Sequence, residues 1–367
     1  MKVFHCDHCG HLLFFENTRC VQCDRALAYI AELGRVAALE PAQDDLWRVP
    51  TEELADRRYR LCDNYSKENV CNWAVRADDP HRLCESCRLT EIIPALESAA
   101  ARGAWFRLEA AKRRLIYTLM QLRCPIIDKA DDGKRGLAFR FLASTQGEAT
   151  ILTGHADGII TVNVAEADDA ERERRRVQLH EPYRTLLGHL RHEVGHYYWQ
   201  LLIDGQARQE PFRALFGDER ADYAAALKHH YEVGPPQDWP QHFVSAYAAS
   251  HPWEDWAESW AHYLHMTDML ETAGANGLEL RPRNPEEPSL TRPRIDEPFE
   301  KLLESWFPLT YVLNNLNRSM GLADGYPFVL ATPAIDKLRF IHETLRGLKL
   351  RTGPAAAGPG AQAIVVA

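Results

Sequence analysis

Apolar and polar residues recur along this chain with two different periods, and the helical period dominates from about residue 92 onward. Apolar side chains return every three to four residues in several long stretches, which is typical of helices that bury one face. The stretches that predict helices are 105–123, 180–203, 218–231, 253–270, 297–318 and 333–348.

A shorter period predicts strands. Residues 136–144 and 150–166 alternate between apolar and polar positions, and the second stretch is rich in β-branched side chains. The Ala-Asp-Gly sequence at 156–158 indicates a hairpin turn. Residues 273–296 predict a loop, and the low-complexity residues 351–367 predict a disordered tail. The expected fold class is α+β, a mainly helical domain with a small β-sheet.

Composition and charge exclude several classes of protein. Of the 367 residues, 46% are hydrophobic and 26% are charged, as in a globular chain long enough for two or three domains. No run of eighteen apolar residues occurs, so we expect no membrane-spanning segment. A cysteine pair interrupts the apolar N-terminal stretch, which argues against a signal peptide. The formal net charge of −9 argues against non-specific binding to nucleic acid.

The cysteines are concentrated in the first quarter of the chain, where eight of the nine precede residue 88. Without a secretory signal we expect a reducing, cytoplasmic setting, in which clustered cysteines bind metal instead of forming disulfides. Two CxxC knuckles separated by ten residues can place four thiolates around one structural zinc, which would supply the folding free energy of residues 1–35. These cysteines are Cys6, Cys9, Cys20 and Cys23. Nearby alternative ligands are His5, His8 and His11.

A second cysteine cluster follows a charged connector over residues 36–60. Its members are Cys62, Cys71, Cys84 and Cys87. The last two form a regular knuckle, whereas eight residues separate the first two. A loop carrying Tyr65 can still close a four-cysteine site, so we expect a second structural zinc; the alternative is one knuckle beside two buried thiols. Four thiolates leave no open coordination position, so neither cluster is expected to be catalytic.

The string His192-Glu193-Val194-Gly195-His196 is an HExxH motif within a predicted helix. Residues four apart lie on one helix face, so His192 and His196 can share one zinc ion. Glu193 lies beside them and can accept a proton from a metal-bound water. The alternative is a surface helix with two solvated histidines, but the apolar and aromatic residues on both sides of the motif favour a buried active-site helix.

A catalytic zinc needs a third protein ligand and one open position for water. A helix that begins at Pro252 places Glu254 and Glu258 on one face, so that one can bind zinc while the other orients a ligand histidine. Acidic residues near the preceding helix are alternative ligands, namely Asp218, Glu219 and Asp222. The side chains expected to pack in the core or to support the ligands are His229, His230, His262, His265 and Cys124.

Together these segments resemble the gluzincin class of zinc peptidases, in which HExxH precedes a helix bearing E-x-x-A-E. In the lethal-factor-like branch of that class, a tyrosine lies seven residues before the ligand glutamate, and Tyr247 and Glu254 are similar in spacing. The resemblance implies that Glu254 is the third ligand, that Tyr247 donates to the developing oxyanion and that Glu258 orients a ligand. It also implies an edge strand within 150–166 that pairs with an extended peptide substrate.

Over most of residues 1–320 the chain is similar to a bacterial family described as putative zinc-binding metallopeptidases with an N-terminal zinc ribbon. The cysteine-rich N-terminus, HEVGHYYW, FGDE and HPWEDWAESWAHYLH carry this resemblance. It implies a zinc ribbon over 1–35, a connector with a second zinc module over 36–91, and a zincin-like metallopeptidase domain over 92–350. The expected activity is hydrolysis of peptide bonds in a peptide or protein substrate, with one catalytic and two structural zinc ions.

A binding module is the competing hypothesis. In that case the ribbons recognise a protein or a nucleic acid, and the HExxH domain is a catalytically silent scaffold. A silent scaffold needs none of the five residues that the chain retains, namely His192, Glu193, His196, Tyr247 and Glu254. Hydrolysis of a non-peptide amide stays open as a third hypothesis, because zinc and glutamate act on any carbonyl held beside them.

Overall fold

The structure is a computed structural model that describes residues 1–143, 151–178, 184–284, 286–290 and 295–352. It combines helices with several small sheets, so the α+β prediction is confirmed. None of the described helices has an apolar stretch long enough to cross a bilayer.

The described strands are, in chain order, β1 (Phe4–His5), β2 (Leu12–Leu13), β3 (Leu27–Ile30), β4 (Arg35–Ala38), β5 (Glu40–Pro41), β6 (Trp47–Arg48), β7 (Tyr59–Leu61), β8 (Ala74–Arg76), β9 (Thr90–Ile92), β10 (Ala138–Leu142), β11 (Gly154–Ala156) and β12 (Ile159–Asn163). The described α-helices are α1 (Asp63–Ser66), α2 (Ala99–Gln121), α3 (Asp169–Gln178), α4 (Leu186–Leu202), α5 (Gln209–Phe216), α6 (Tyr223–Val233), α7 (Pro252–Ala275), α8 (Phe299–Ser319) and α9 (Thr332–Thr352). Short 3₁₀ helices cover Glu52–Leu54, Cys87–Leu89, Val164–Ala167, Trp239–Gln241 and Tyr247–Ser250.

The chain forms two compact units. Unit 1 consists of Met1–Gln121 and Ile126–Arg175, and unit 2 consists of Leu122–Pro125 and the chain from Arg176 onward. Unit 1 contains the two cysteine clusters and all of the described strands, whereas unit 2 contains the HExxH helix α4. The domain boundaries expected from the sequence remain predictions.

The segment expected to be a charged connector, residues 36–60, is folded. It contributes strands to two small antiparallel sheets, β3–β4 and β5–β6–β7–β8. It also supplies five of the eight side chains in a buried cluster made of Ala28, Ile30, Ala37, Leu39, Val49, Leu54, Tyr59 and Ala74. One charge of this segment is paired twice, since Glu40 lies 2.7 Å from Arg48 of the same segment and 2.6 Å from Arg25 before it. The residues expected to form a connector therefore carry strands and part of a buried core.

A mixed sheet with the strand order β11–β12–β10–β9 completes unit 1. β10 runs parallel to β9 and β12, and β11 pairs with β12 in antiparallel orientation. The hairpin predicted at 156–158 is confirmed: Asp157 and Gly158 have φ angles of 48° and 78°, as two-residue hairpin turns require. On β9, the Thr90 hydroxyl donates to Glu109 Oε1 of helix α2 at 2.9 Å.

Each of the six predicted helices has a counterpart, and capping residues explain several differences in length. α6 begins only at Tyr223 because the Asp222 carboxylate caps it by accepting a hydrogen bond from Ala225 N–H at 3.0 Å. α7 begins at Pro252, as predicted, but continues to Ala275. α9 continues to Thr352, and the rest of the predicted tail lies outside the described residues, as do residues 179–183.

Candidate metal centre

The two motif histidines face one another on α4. His192 is buried and His196 is half-buried, and their Nε2 atoms lie 3.2 Å apart. α4 begins after Thr185, whose hydroxyl accepts a hydrogen bond from Gly188 N–H at 2.9 Å. The spacing of four residues therefore brings both imidazoles to one point, as predicted.

Glu254 on α7 completes a three-residue group. Its Oε2 atom lies 3.0 Å from His192 Nε2 and 3.6 Å from His196 Nε2, and no hydrogen bond of normal geometry reaches this buried oxygen. Ligand atoms about 2.1 Å from a tetrahedral zinc lie about 3.4 Å from one another. The three donor atoms therefore fit a zinc ion better than they fit a set of mutual hydrogen bonds.

The crossing of α4 and α7 brings Glu254 to the histidines. Gly195 lies at this crossing, where a Cβ atom would come within 3.0 Å of Ala257 Cα and 3.2 Å of Trp260 Cβ. The indole N–H of Trp256 donates to the Gly195 carbonyl at 2.8 Å. A Cβ atom at this position would therefore require α7 to shift by a few tenths of an ångström.

Glu258 contacts the opposite side of the His192 ring. His192 Nδ1 donates to Glu258 Oε1 at 2.8 Å, and the Ser245 hydroxyl donates to Glu258 Oε2 at 2.6 Å. With Nδ1 protonated, His192 Nε2 is left with the lone pair that a metal needs. Burial opposes ionisation of Glu258, but His192 holds its pKa below the ordinary value.

The structure does not bring the other candidate acids into this group. Asp218 pairs with Arg220 at 2.7 Å, Glu219 pairs with Arg213 at 2.6 Å, and Asp222 caps α6. Each carboxylate has a local partner that accounts for its position.

Glu193 and Tyr247 lie beside the group. Glu193 is buried, with Oε1 3.3 Å from His189 Nε2. Burial alone would raise the pKa of Glu193, but His189 and the motif histidines lower it below the ordinary value, which favours the carboxylate. The Tyr247 ring lies 5.9 Å from the His192 ring, and burial together with the Glu254 charge raises the pKa of Tyr247 well above its ordinary value. Tyr247 is therefore a protonated donor at neutral pH.

Three contributors to the centre were not predicted from the sequence. The Tyr223 hydroxyl donates to Glu254 Oε1 at 2.6 Å, Ser245 donates to Glu258, and His189 contacts Glu193. His189 precedes Glu193 by one helical turn, so helical spacing alone could have indicated it. Tyr223 and Ser245 belong to other segments and carry no such signal.

The remaining histidines and Cys124 lie outside the three-residue group. His229 is exposed, and the His230 ring lies 5.8 Å from the Tyr247 ring. His262 is buried, with Nδ1 2.9 Å from the Tyr326 hydroxyl, and the His265 ring packs 6.2 Å from the Trp306 ring. Cys124 is buried. His262, His265 and Cys124 therefore lie in packed surroundings, whereas the exposed His229 differs from the expectation.

The first cysteine cluster forms a four-thiol group in unit 1. The Sγ atoms of Cys6 and Cys23 lie 3.7 Å apart, and those of Cys9 and Cys20 lie 3.6 Å apart. Four sulfurs about 2.3 Å from a tetrahedral zinc lie about 3.8 Å from one another. The histidines offered as alternative ligands are absent from this group: His5, His8 and His11.

The second cluster also forms a four-thiol group, and all four of its cysteines are buried: Cys62, Cys71, Cys84 and Cys87. The Sγ atoms of Cys71 and Cys84 lie 3.7 Å apart. The irregular loop closes as expected. Tyr65 on α1 lies within it, and its one hydroxyl proton is shared between the carbonyls of Thr18 and Leu27, at 3.0 and 2.9 Å.

Both parts of the chain are similar to known protein families. Residues 101–344 match a family described as "putative zinc-binding metallo-peptidase", and residues 3–98 match a zinc-ribbon domain. Uncharacterized proteins of Mycobacterium bovis and of Mycobacterium tuberculosis strains CDC 1551 and H37Rv are each 45% identical over 344 residues, or 93% of this chain and 94% of each relative. No solved structure matches the chain.

The chain therefore belongs to the putative zinc-binding metallo-peptidase family. A zinc-ribbon domain precedes a mostly helical peptidase domain, so the resemblance inferred from the sequence is confirmed.

Proposed function

We propose that this chain is a gluzincin-like zinc peptidase that hydrolyses peptide bonds in a peptide or protein substrate. The observation that carries the proposal is the convergence of His192, His196 and Glu254, whose donor atoms lie 3.0 to 3.6 Å apart. A buried carboxylate, Glu193, lies next to them. Such a group with an adjacent base is the arrangement that metal-assisted hydrolysis needs.

The residues of the centre have separate roles in this proposal. The two histidines and Glu254 would hold a zinc ion, which would supply polarisation of the scissile carbonyl and a bound water with its pKa lowered to about 7. Glu193 accepts the proton of the attacking water and passes it to the leaving amine. The Tyr247 hydroxyl donates to the oxygen that becomes negatively charged, a contact typically worth about 3 kcal/mol. Glu258 orients the His192 ring.

The two four-cysteine groups are proposed to hold structural zinc. Their sulfur separations of 3.6 to 3.7 Å suit tetrahedral coordination, and four thiolates leave no position for substrate. Thiolate sites of this kind persist in a reducing compartment, and we propose the cytoplasm as the setting of the protein.

The test combines zinc content with cleavage of a mixed peptide library. Elemental mass spectrometry should find one zinc for each of the three groups. Glu193→Gln should keep all of this zinc and lose cleavage by at least about 100-fold, because only the base is removed. The His192→Ala/His196→Ala protein should lose one zinc and all cleavage. Glu210→Gln, a change at an exposed helical carboxylate, serves as the matched control.

Two results would contradict the proposal. Full activity of Glu193→Gln would mean that another group is the base. A wild-type protein that lacks the third zinc even after zinc is added, and that cleaves nothing, would favour the binding-module hypothesis. Binding of mixed DNA or RNA that weakens steeply with salt would then identify a module that contacts phosphates.

A further inference from the structure

The two oxygens of Glu254 have different partners. Oε2 faces the two imidazoles, while Oε1 accepts a hydrogen bond from the Tyr223 hydroxyl at 2.6 Å. This bond joins the first residue of α6 to the first turn of α7. Each carboxylate oxygen therefore has its own contacts, and Oε2 is the one in position to bind the proposed zinc.

Tyr223 is itself held in place by residues at the start of α7. Its ring packs perpendicular to the His251 ring with centroids 5.1 Å apart, and it lies 5.7 Å from the Trp253 ring. His251 caps α7 by accepting a hydrogen bond from Trp253 N–H at 3.1 Å, so its Nε2 donates to the Ala221 carbonyl, also at 3.1 Å. The imidazole thereby joins the two helix starts.

Burial strengthens this arrangement. Glu254 is fully buried, so water does not screen its charge. A hydrogen bond to a charged carboxylate is stronger in such surroundings than at the surface. An ionised carboxylate can only accept a hydrogen bond, so the Tyr223 hydroxyl is the donor in this contact.

We propose that Tyr223 is a positioning residue that restricts Glu254 to one-oxygen coordination, an inference that rests on the proposed zinc-dependent function. A zinc-bound carboxylate with an unrestrained second oxygen can rotate and occupy a further coordination position. The Tyr223 hydroxyl holds that second oxygen away from the histidines. The position needed by water and substrate therefore stays open, and the ligand is oriented before metal arrives.

The experiment compares Tyr223→Phe with the wild-type protein and with Tyr231→Phe, a change at an exposed tyrosine of the same helix. Zinc affinity of the histidine site is measured by competition with a chelator. Cobalt is then substituted for zinc. From the visible spectrum of each protein we subtract the spectrum of the same protein with His192→Ala and His196→Ala added. The difference isolates the histidine site from the two thiolate sites. Cobalt absorbs less intensely with five ligands than with four.

Tyr223→Phe should weaken zinc binding at the histidine site by about 10- to 100-fold and lower the intensity of the cobalt spectrum, while Tyr231→Phe changes neither. His251→Asn keeps a capping side chain but loses the donor to Ala221, so it should give a smaller shift in the same direction. This second variant preserves the test if Tyr223→Phe does not fold.

Other outcomes overturn the inference. If Tyr223→Phe retains wild-type zinc affinity and the wild-type cobalt spectrum while cleavage falls, Tyr223 acts on substrate instead of on Glu254. If Tyr231→Phe has the same effect, the change is not specific to this hydroxyl. A wild-type protein without a zinc at the histidine site would overturn the proposed function as well, and that result is distinct from the other two.

Discussion

At the scale of single residues, one imidazole connects most of the centre. His192 offers Nε2 to the metal group and Nδ1 to Glu258, and Glu258 in turn accepts a hydrogen bond from Ser245. A carboxylate behind a ligand histidine fixes its tautomer and its ring orientation and makes it a stronger ligand. The charge of Glu258, which contacts His192 and not the proposed zinc, should therefore affect metal binding.

We expect Glu258→Gln to weaken zinc binding at the histidine site by roughly 10-fold, with little effect on the two cysteine sites. The amide oxygen still accepts a hydrogen bond from Nδ1–H, but the negative charge that makes the imidazole a better donor is gone. Competition with a chelator, with zinc counted per chain, measures the change.

Ser245→Ala should weaken zinc binding in the same direction by a smaller factor, because it removes only the hydroxyl that orients Glu258. Glu304→Gln changes an exposed carboxylate that pairs with Lys301, and it serves as the control. Equal zinc affinity in Glu258→Gln and wild type would show that the carboxylate is not needed to orient His192.

At the residue scale, a sequence predicts side-chain positions best where spacing along one helix carries the information. His192 and His196 share a face of α4, and Glu254 and Glu258 share a face of α7, so simple geometry indicates both pairs. Tyr223 lies 31 residues before its partner Glu254, in another helix. Nothing in its local sequence indicates that contact, because the contact depends on how α6 and α7 begin beside one another.

At the scale of elements, the approach of α4 to α7 depends on a glycine inside the motif. We expect Gly195→Ala to lower both the zinc affinity of the histidine site and the free energy of unfolding, because the added Cβ would lie 3.0 Å from Ala257 Cα. Alanine has the higher helix propensity, by about 1 kcal/mol, so a loss of stability would come from packing alone. Urea unfolding and zinc titration measure the two effects.

Gly103→Ala provides the matched control. Gly103 also lies inside a helix, but a Cβ there would meet only the end of the Arg107 side chain, at 3.5 Å. This change should leave zinc binding unaltered and raise the free energy of unfolding by up to about 1 kcal/mol. Wild-type zinc affinity in Gly195→Ala would mean that the two helices can separate without moving Glu254 from the histidines.

Element-level prediction was best for long amphipathic helices and poorest for short pieces. The period of an extended helix repeats several times, whereas β5 and β6 contain two residues each and display no period. The unpredicted helix α5 has only eight residues, two of them buried. The short strands within residues 36–60 were not predicted for the same reason. Polar residues dominate the composition of this segment, whereas a few apolar residues form its buried cluster.

At the scale of the whole molecule, the two four-cysteine groups differ in their access to solvent. In the first, Cys9 is exposed and Cys23 is half-buried, whereas all four thiols of the second are buried. A chelator must reach the metal before it can remove it. We therefore expect a colorimetric chelator to remove zinc from the first group faster than from the second. Stopped-flow absorbance measures the two phases in the His192→Ala/His196→Ala protein, which lacks the third zinc.

A cysteine variant in each group assigns the phases. Cys9→Ser should accelerate only the fast phase, because it weakens the exposed group. Cys71→Ser should remove the slow phase and destabilise the surrounding strands, since zinc in such sites contributes folding free energy. A slow phase that disappears in Cys9→Ser instead would reverse the assignment.

The position of β9 has a consequence for the evolutionary history of the chain. This strand follows directly on the helical turn Cys87–Leu89 of the second cysteine group, yet it pairs with β10, which comes after residue 100. The two family matches meet between residues 98 and 101, so one sheet draws strands from both. Recombination at that junction would leave the edge of β10 unpaired, which invites aggregation. The ribbon and the peptidase domain should therefore be inherited together. A ribbon from another protein could replace this one only if it also supplied a strand that pairs with β10 as β9 does.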